Sequence, residues 1–130
     1  MNKIFIFFVL SSFLFGKSPI WNTSENIVLK KDEVYSGVIY EGHLEKPLFF
    51  RWTLYKNHGL VVYLNYDKFP YQFILYQDYQ RETFKLLLFG KNVANSFSYL
   101  YLSFKDFDEK NNTASLWLGV SGDAQFFHKN

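Results

Sequence analysis

The chain has 130 residues, 48% of them hydrophobic and 20% charged, which is an ordinary composition for one globular domain. Its formal net charge of +2 excludes a broad electrostatic field that would recruit nucleic acid or an anionic membrane. Cysteine is absent, which excludes disulfides, thiol catalysis, thiolate metal sites and lipid attachment through cysteine. The aromatic content, 22%, is unusually high, with 16 Phe and 10 Tyr.

The N-terminal segment predicts export. Lys3 precedes an apolar run over residues 4–15, which has the length of the hydrophobic region of a signal peptide. A transmembrane helix would need about 20 apolar residues, whereas Lys17 and Pro19 end this run early. The sequence therefore predicts a signal peptide over 1–16, a single β domain over 17–130 and a periplasmic location. A buried first element of the domain and an uncleaved anchor are the alternatives.

Short apolar segments separated by turn-forming clusters follow along the rest of the chain. The separators include "KKDE", "KNHG", "GKNVANS" and "DFDEKNN". This pattern, with β-branched and aromatic residues in the apolar segments, predicts an all-β fold, an antiparallel β-sandwich of about eight strands, with an up-and-down β-barrel as the alternative. The predicted strands cover residues 27–30, 34–40, 48–55, 60–66, 71–79, 83–89, 97–105 and 115–120, and a ninth candidate covers 124–128.

The segments 48–55 and 60–66 predict a hairpin around the turn "KNHG". A three-residue loop over 57–59, with Gly59 in the left-handed conformation, pairs Lys56 with Leu60. This register separates an aliphatic core face from a second, aromatic face, whereas a four-residue loop mixes polar and apolar side chains on both. The predicted core face contains Leu48, Phe50, Trp52, Leu54, Leu60, Val62, Leu64 and Tyr66, and the second face contains Phe49, Arg51, Thr53, Tyr55, Val61, Tyr63 and Asn65.

Residues 78–90 allow two interpretations. As a strand, Phe84, Leu86 and Leu88 alternate with their neighbours, and as a short helix, Asp78 caps the N-terminus and Gly90 the C-terminus. The strand is the preferred interpretation.

The strands at 97–105 and 115–120 repeat the division into an aliphatic and an aromatic face. An aromatic row with polar tips and one Arg is typical of protein interfaces and of platforms on which sugar rings stack. The alternative is that the chain covers these rings itself, or that they pair across a solvated sheet face. The predicted binding residues are Phe49, Arg51, Tyr55, Tyr63, Tyr99, Tyr101 and Trp117.

A glycosylation acceptor sequence lies in the polar segment before the 115–120 strand. Asn111 begins an N-x-S/T motif that ends at Thr113, and Glu109 lies two positions before it. These five residues resemble the extended acceptor sequence of the bacterial periplasmic oligosaccharyltransferase. The resemblance predicts N-glycosylation at Asn111.

No motif predicts catalysis, a metal site or a cofactor. "GVSGD" at 119–123 has Asp where a nucleophile elbow needs its second Gly, and "DFDEKNN" lacks the spacing and Gly of an EF-hand. Glu41 and Glu45 flank His43 in "EGHLE", which is interpreted as a solvated loop. We therefore expect a non-enzymatic protein.

Four motifs over residues 27–79 resemble pre-peptidase C-terminal domains, which are exported β-sandwiches. They are "VYSGV" at 34–38, "FFRW" at 49–52, "LVVYL" at 60–64 and "FILY" at 73–76. Gln72 and Phe73 replace the Asp-Leu of the family pattern, and its closing strand "G-x-Y-x-L-x-V" is absent. The resemblance implies a fold and no catalytic activity.

Two functional hypotheses follow, with an enzyme as a third and weaker one. In the first, a small exported β-sandwich binds another protein, itself, or an envelope component such as a glycan through its aromatic face. In the second, a lipocalin-like barrel lined by Phe carries an apolar ligand.

Overall fold

A computed structural model describes residues 21–78, 80–89 and 97–129, which form nine strands and no helix. The strand interpretation of residues 83–88 and the ninth candidate strand are confirmed, while the predicted signal peptide lies outside the described residues. Within the described part of the chain, no helix is long and apolar enough to cross a membrane. The strands are β1 (Trp21–Lys30), β2 (Tyr35–Glu41), β3 (Leu44–Lys56), β4 (Gly59–Tyr66), β5 (Phe69–Tyr76), β6 (Thr83–Leu88), β7 (Ser98–Asp108), β8 (Thr113–Ser121) and β9 (Gln125–His128).

The strands form two antiparallel sheets, and the predicted β-sandwich is confirmed. One sheet has the order β1-β8-β7-β6 and the other the order β5-β4-β3-β2-β9. Over the described residues the sheets do not close into a barrel, so the barrel alternative is wrong. Consecutive strands pair from β2 to β5 and from β6 to β8, because short turns favour antiparallel neighbours. β1 and β9 join from the two ends of the chain.

The aliphatic row of each sheet faces the other sheet and forms the core. Phe50, Trp52 and Phe104 are the largest side chains with 1% exposure or less. The Trp52 indole N–H of β3 donates to the Leu29 carbonyl of β1 at 2.8 Å, so the core also contains a hydrogen bond between the sheets.

The hairpin between β3 and β4 has a two-residue loop, so the predicted three-residue loop is wrong. Lys56 pairs with Gly59, while Asn57 (φ 53°) and His58 (φ 67°) both adopt the left-handed conformation, as in a type I′ turn. The prediction assigned the left-handed position to Gly59, yet Asn and His also tolerate positive φ better than most residues. Gly59 instead begins β4.

A β-bulge at Thr53 changes the faces of β3. The register shifts between the pairs Trp52–Val62 and Leu54–Val61. The extra residue reverses the alternation beyond it, so Leu54 is 47% exposed and Tyr55 packs against the core. The predictions that Leu54 belongs to the core and Tyr55 to the binding face are therefore wrong, whereas the other predicted core residues of this hairpin are buried.

A second bulge, at Lys105 in β7, has the matching effect on the other sheet. It separates the pairs Phe104–Leu116 and Asp106–Ser115 and turns Phe107 inward. Phe107 then stacks on Tyr55 with ring centroids 3.8 Å apart and planes 9° apart. One bulge in each sheet thus brings two aromatic rings into face-to-face contact between the sheets.

Candidate binding faces

The predicted binding residues do not form one surface. Phe49, Arg51 and Tyr63 lie on the outer side of the five-stranded sheet, since their neighbours Leu48, Phe50, Trp52, Val62 and Leu64 point into the core. Tyr99, Tyr101 and Trp117 lie on the outer side of the four-stranded sheet. The expectation of a single aromatic face is corrected to two faces that point away from each other.

The first of these, the five-stranded face, is centred on Arg51. The Arg51 guanidinium carbon lies 5.4 Å from the ring centroid of Tyr63, its cross-strand partner. Phe49 contacts the same tyrosine, with ring centroids 6.1 Å apart. Among the described residues, Arg51 has no carboxylate partner, and its Nε is buried without a hydrogen-bond acceptor.

Exposed apolar side chains continue this face in both directions from Arg51. Leu54, Val61 and Ile74 form one row across three strands, in which Leu54 is 47% and Ile74 50% exposed. Near the opposite edge, Tyr40 and Phe127 make an edge-to-face contact at 5.5 Å. The five-stranded face is therefore rich in aliphatic and aromatic surface.

The second surface, the four-stranded face, is an aromatic cluster that reaches all four strands: Trp21, Trp117, Tyr101, Tyr99 and Lys85. The Trp21 ring is nearly perpendicular to those of Trp117 and Tyr101, with centroids 4.8 Å apart in both pairs. Lys85 Nζ lies 4.2 Å from the ring centroid of Tyr99 and 5.5 Å from that of Tyr101.

Trp117 is held in place by two of its neighbours. Its indole N–H donates to Ser24 Oγ at 2.8 Å, and its six-membered ring lies where a side chain on Gly119 would project. A Cβ at Gly119 would approach Trp117 Cη2 to 2.2 Å. Glycine at this position therefore allows the indole to lie against the sheet.

Sequence reasoning missed Trp21 and Lys85. Trp21 lies close to the predicted cleavage site and before the first predicted strand, so no alternation assigned it to a face. The bulge between Trp21 and Thr23 also interrupts the alternation that would have assigned Trp21 to a face. The alternation of Lys85 with Phe84 and Leu86 indicated that it lies on the opposite face of its strand from them. That pattern alone does not reveal which strand lies beside it.

Asn111 lies exposed in the four-residue loop between β7 and β8. The Asp108 carboxylate accepts the Asn111 backbone N–H at 3.2 Å and its side-chain amide at 2.7 Å. These hydrogen bonds, the side-chain one first, lower the pKa of Asp108. Thr113, the last residue of the motif, begins β8.

A cleft of about 730 Å³ opens between β1 and the start of β2. Its polar groups bond to one another: the Tyr35 hydroxyl donates to Glu25 at 2.5 Å, and burial raises the pKa of that hydroxyl. The ring of Tyr35 also stacks on His128 at 4.2 Å. The Tyr35–Glu25 hydrogen bond joins β2 to β1 of the other sheet, whereas the Tyr35–His128 stack lies within the five-stranded sheet. In the described part of the chain, no group of three or more His, Asp or Glu residues could hold a metal ion.

Comparison with known proteins finds no matching family model, curated protein or solved structure. The resemblance of residues 27–79 to pre-peptidase C-terminal domains therefore stays a prediction.

Proposed function

We propose that this chain is an exported, non-enzymatic protein that binds a partner protein through the five-stranded face. The observation that carries the proposal concerns Arg51, which has no carboxylate partner among the residues that the structure describes and is flanked by exposed apolar side chains.

The composition of the five-stranded face supports a protein partner over a small molecule. Contiguous exposed apolar surface marks interaction sites on soluble proteins, and interface centres are rich in aromatic residues and Arg. A partner carboxylate placed over Arg51 would supply the charge-assisted, two-pronged hydrogen bonds for which a guanidinium is suited. The expected partner therefore presents an acidic residue surrounded by apolar side chains.

In-cell photo-cross-linking tests this proposal. A photoreactive phenylalanine analogue replaces Phe49 or Ile74 on the five-stranded face, and matched controls carry it at Leu87 on the four-stranded face. We expect a discrete cross-linked band, identifiable by mass spectrometry, from the first two positions. Arg51→Glu should abolish the band, since it reverses the charge that the partner faces.

Two results would count against the proposed partner site. One is equal cross-linking from the positions on both faces, and the other is a band that persists in the Arg51→Glu variant. A band at twice the mass of the chain would identify the partner as a second copy.

Export is supported by the N-terminal sequence and is tested separately. We expect the mature protein to begin at or close to Lys17 and to fractionate with periplasmic proteins. Protein that retains Met1 and remains with the cytoplasmic fraction would contradict export.

We also propose that the exported chain carries a glycan on Asn111, because the acceptor motif lies in an exposed loop. The intact mass of protein from the native host should exceed the mass of the mature sequence, and Asn111→Gln should remove the excess. Native protein with an unmodified mass would reject the proposal.

A further inference from the structure

We infer that the free edge of β1 binds an extended peptide segment of a partner protein, which adds a strand to the four-stranded sheet and places a basic side chain beside Glu25. The inference goes beyond the proposed function, because it concerns a sheet edge and the cleft beside it rather than the five-stranded face. It depends on the backbone of β1 and on the charges that line the cleft.

The edge of β1 presents backbone groups in a regular row. Lys30 bonds on the side away from β8, since its N–H donates to Glu33 Oε1 at 2.9 Å and its carbonyl accepts the Glu33 N–H at 3.1 Å. Every second residue of an antiparallel strand points its N–H and C=O groups the same way, so those of Ser24, Asn26 and Val28 also point away from β8. No described residue bonds to these groups, and such a row is a template for a further strand.

The cleft between β1 and the start of β2 lies beside this row. Its volume is about 730 Å³, and Asn26 and Val28 line it together with Tyr35 and Ser36 of the other sheet. In an added strand, every second side chain would reach into the cleft and the others would lie on the four-stranded face. The edge therefore offers backbone partners, and the cleft offers room for the inward side chains.

The charges of the cleft favour a basic side chain at one inward position. Glu25 and Glu33 supply two carboxylates and Lys129 one ammonium group, and no ion pair joins them in the described part of the chain. The Tyr35 hydroxyl donates to Oε2 of Glu25, which leaves the other oxygen for a cation of the partner. A Lys or Arg in the added strand would supply that cation.

A second copy of this chain fits the edge less well than a segment with a basic residue. Antiparallel pairing of two β1 strands through all three free residues centres on Asn26 and places Glu25 opposite Ile27 of the copy. Moving the centre to Ile27 places Glu25 opposite Leu29 instead. Neither register gives the carboxylate a cation, so the expected occupant comes from a different protein.

A synthetic peptide tests the inference on the mature chain. Its sequence is Thr-Val-Thr-Val-Thr-Lys-Thr with blocked ends. When it pairs antiparallel with β1, the valines lie opposite Leu29 and Ile27 and the lysine lies opposite Glu25. We expect saturable binding by calorimetry. The matched control has Glu in place of Lys and should bind about fivefold or more weakly, because it brings two carboxylates together.

Amide hydrogen exchange, followed by NMR, identifies the bound edge. The peptide should slow exchange at the amides of Ser24, Asn26 and Val28, because each gains a backbone acceptor. The amide of Ile74 on β5, an edge strand of the other sheet, is the internal control and should keep its rate. This measurement needs no substitution in the protein.

Two substitutions at Val28 separate backbone pairing from side-chain contact. Proline at an outward-facing edge position removes one free N–H and leaves the ladder to β8 intact, so Val28→Pro should abolish binding. Val28→Thr keeps the N–H and the β-branched shape, and it should bind as the wild type does. Circular dichroism confirms that each variant is folded.

The inference is overturned if the three edge amides keep their exchange rates with the peptide, if the Lys and Glu peptides bind equally, or if folded Val28→Pro binds as Val28→Thr does. Arg51→Glu, which tests the five-stranded face, should leave peptide binding unchanged. The two proposals can therefore fail independently.

Discussion

Glu41 lies in an environment that its sequence context did not indicate. In "EGHLE" it has the composition of a solvated loop, yet it ends β2, points between the sheets and is 5% exposed. Ser98 of the other sheet donates to its carboxylate at 3.3 Å. Burial raises the pKa of Glu41, the Ser98 hydrogen bond lowers it, and the Asp123 carboxylate raises it further. The interpretation of Glu41 as a loop residue was therefore wrong.

This buried carboxyl predicts a pH-dependent stability. Because its folded-state pKa is raised, its contribution is most favourable below the unfolded pKa of about 4.3 and is lost as the pH rises through the folded pKa. Glu41→Gln should therefore raise the melting temperature at neutral pH and change it little near pH 4. Glu45→Gln, in the adjacent strand β3 of the same hairpin but exposed, is the control. An identical effect of both variants at neutral pH would contradict the assignment.

At the scale of the elements, the β3–β4 turn depends on two residues with positive φ. Left-handed backbone costs about 1–2 kcal/mol for most residues with a side chain, and the pair Asn-Gly is the preferred sequence of a type I′ turn. His58→Gly should therefore stabilise the protein by up to about 1 kcal/mol, the gain being reduced by the entropy of the unfolded chain.

Chemical denaturation measures this effect. A loss of stability in His58→Gly would mean that the loop is not of this type. The predicted three-residue loop places the left-handed conformation at Gly59, so in that loop His58→Gly would not stabilise the protein. The same experiment therefore distinguishes the two loops.

The two bulges predict a specific coupling between β3 and β7. Tyr55 and Phe107 meet only because each strand contains one extra residue. A double-mutant cycle with Tyr55→Ala and Phe107→Ala should give a coupling energy of about 0.5–1.5 kcal/mol in the free energy of unfolding. Leu54→Ala, next in sequence but exposed, should cost less than about 0.5 kcal/mol. Independent effects of the two aromatic substitutions would argue against the stack.

At the scale of the whole molecule, the sheets are held together by polar as well as apolar contacts. The Trp52 N–H is buried and donates to the Leu29 carbonyl of the other sheet. Trp52→Phe keeps an aromatic ring but leaves that carbonyl without its donor and fills less of the core. We expect a loss of about 1–3 kcal/mol from the hydrogen bond, with a further loss from the smaller side chain.

Thermal or chemical unfolding of Trp52→Phe checks this expectation. The matched comparison is Phe50→Leu, a buried change of volume two residues away that removes no hydrogen bond. Equal costs for the two substitutions would mean that the hydrogen bond adds nothing to the association of the sheets.

The local pattern of the sequence predicted the sandwich, because alternation and turn residues act over a few positions. Leu100, Leu102 and Phe104, and likewise Leu116 and Leu118, are buried as their period of two indicates. The predicted eight strands and the ninth candidate were recognised from apolar runs separated by turn-forming clusters. The bounds of β1, β3 and β7 were less accurate, since these strands were predicted over 27–30, 48–55 and 97–105.

What only the tertiary structure decided is which residues share a surface. Phe49 and Trp117 carry the same local signal, an aromatic residue opposite an aliphatic row, yet their strands belong to different sheets. Strand pairing across the chain sets that division, and no local pattern encodes it. The bulges at Thr53 and Lys105 likewise emerge only from strand pairing, and their extra residues bring Tyr55 and Phe107 into contact. The aromatic content alone thus predicted a binding face, whereas the division of these rings between two opposite faces exists only in the folded molecule.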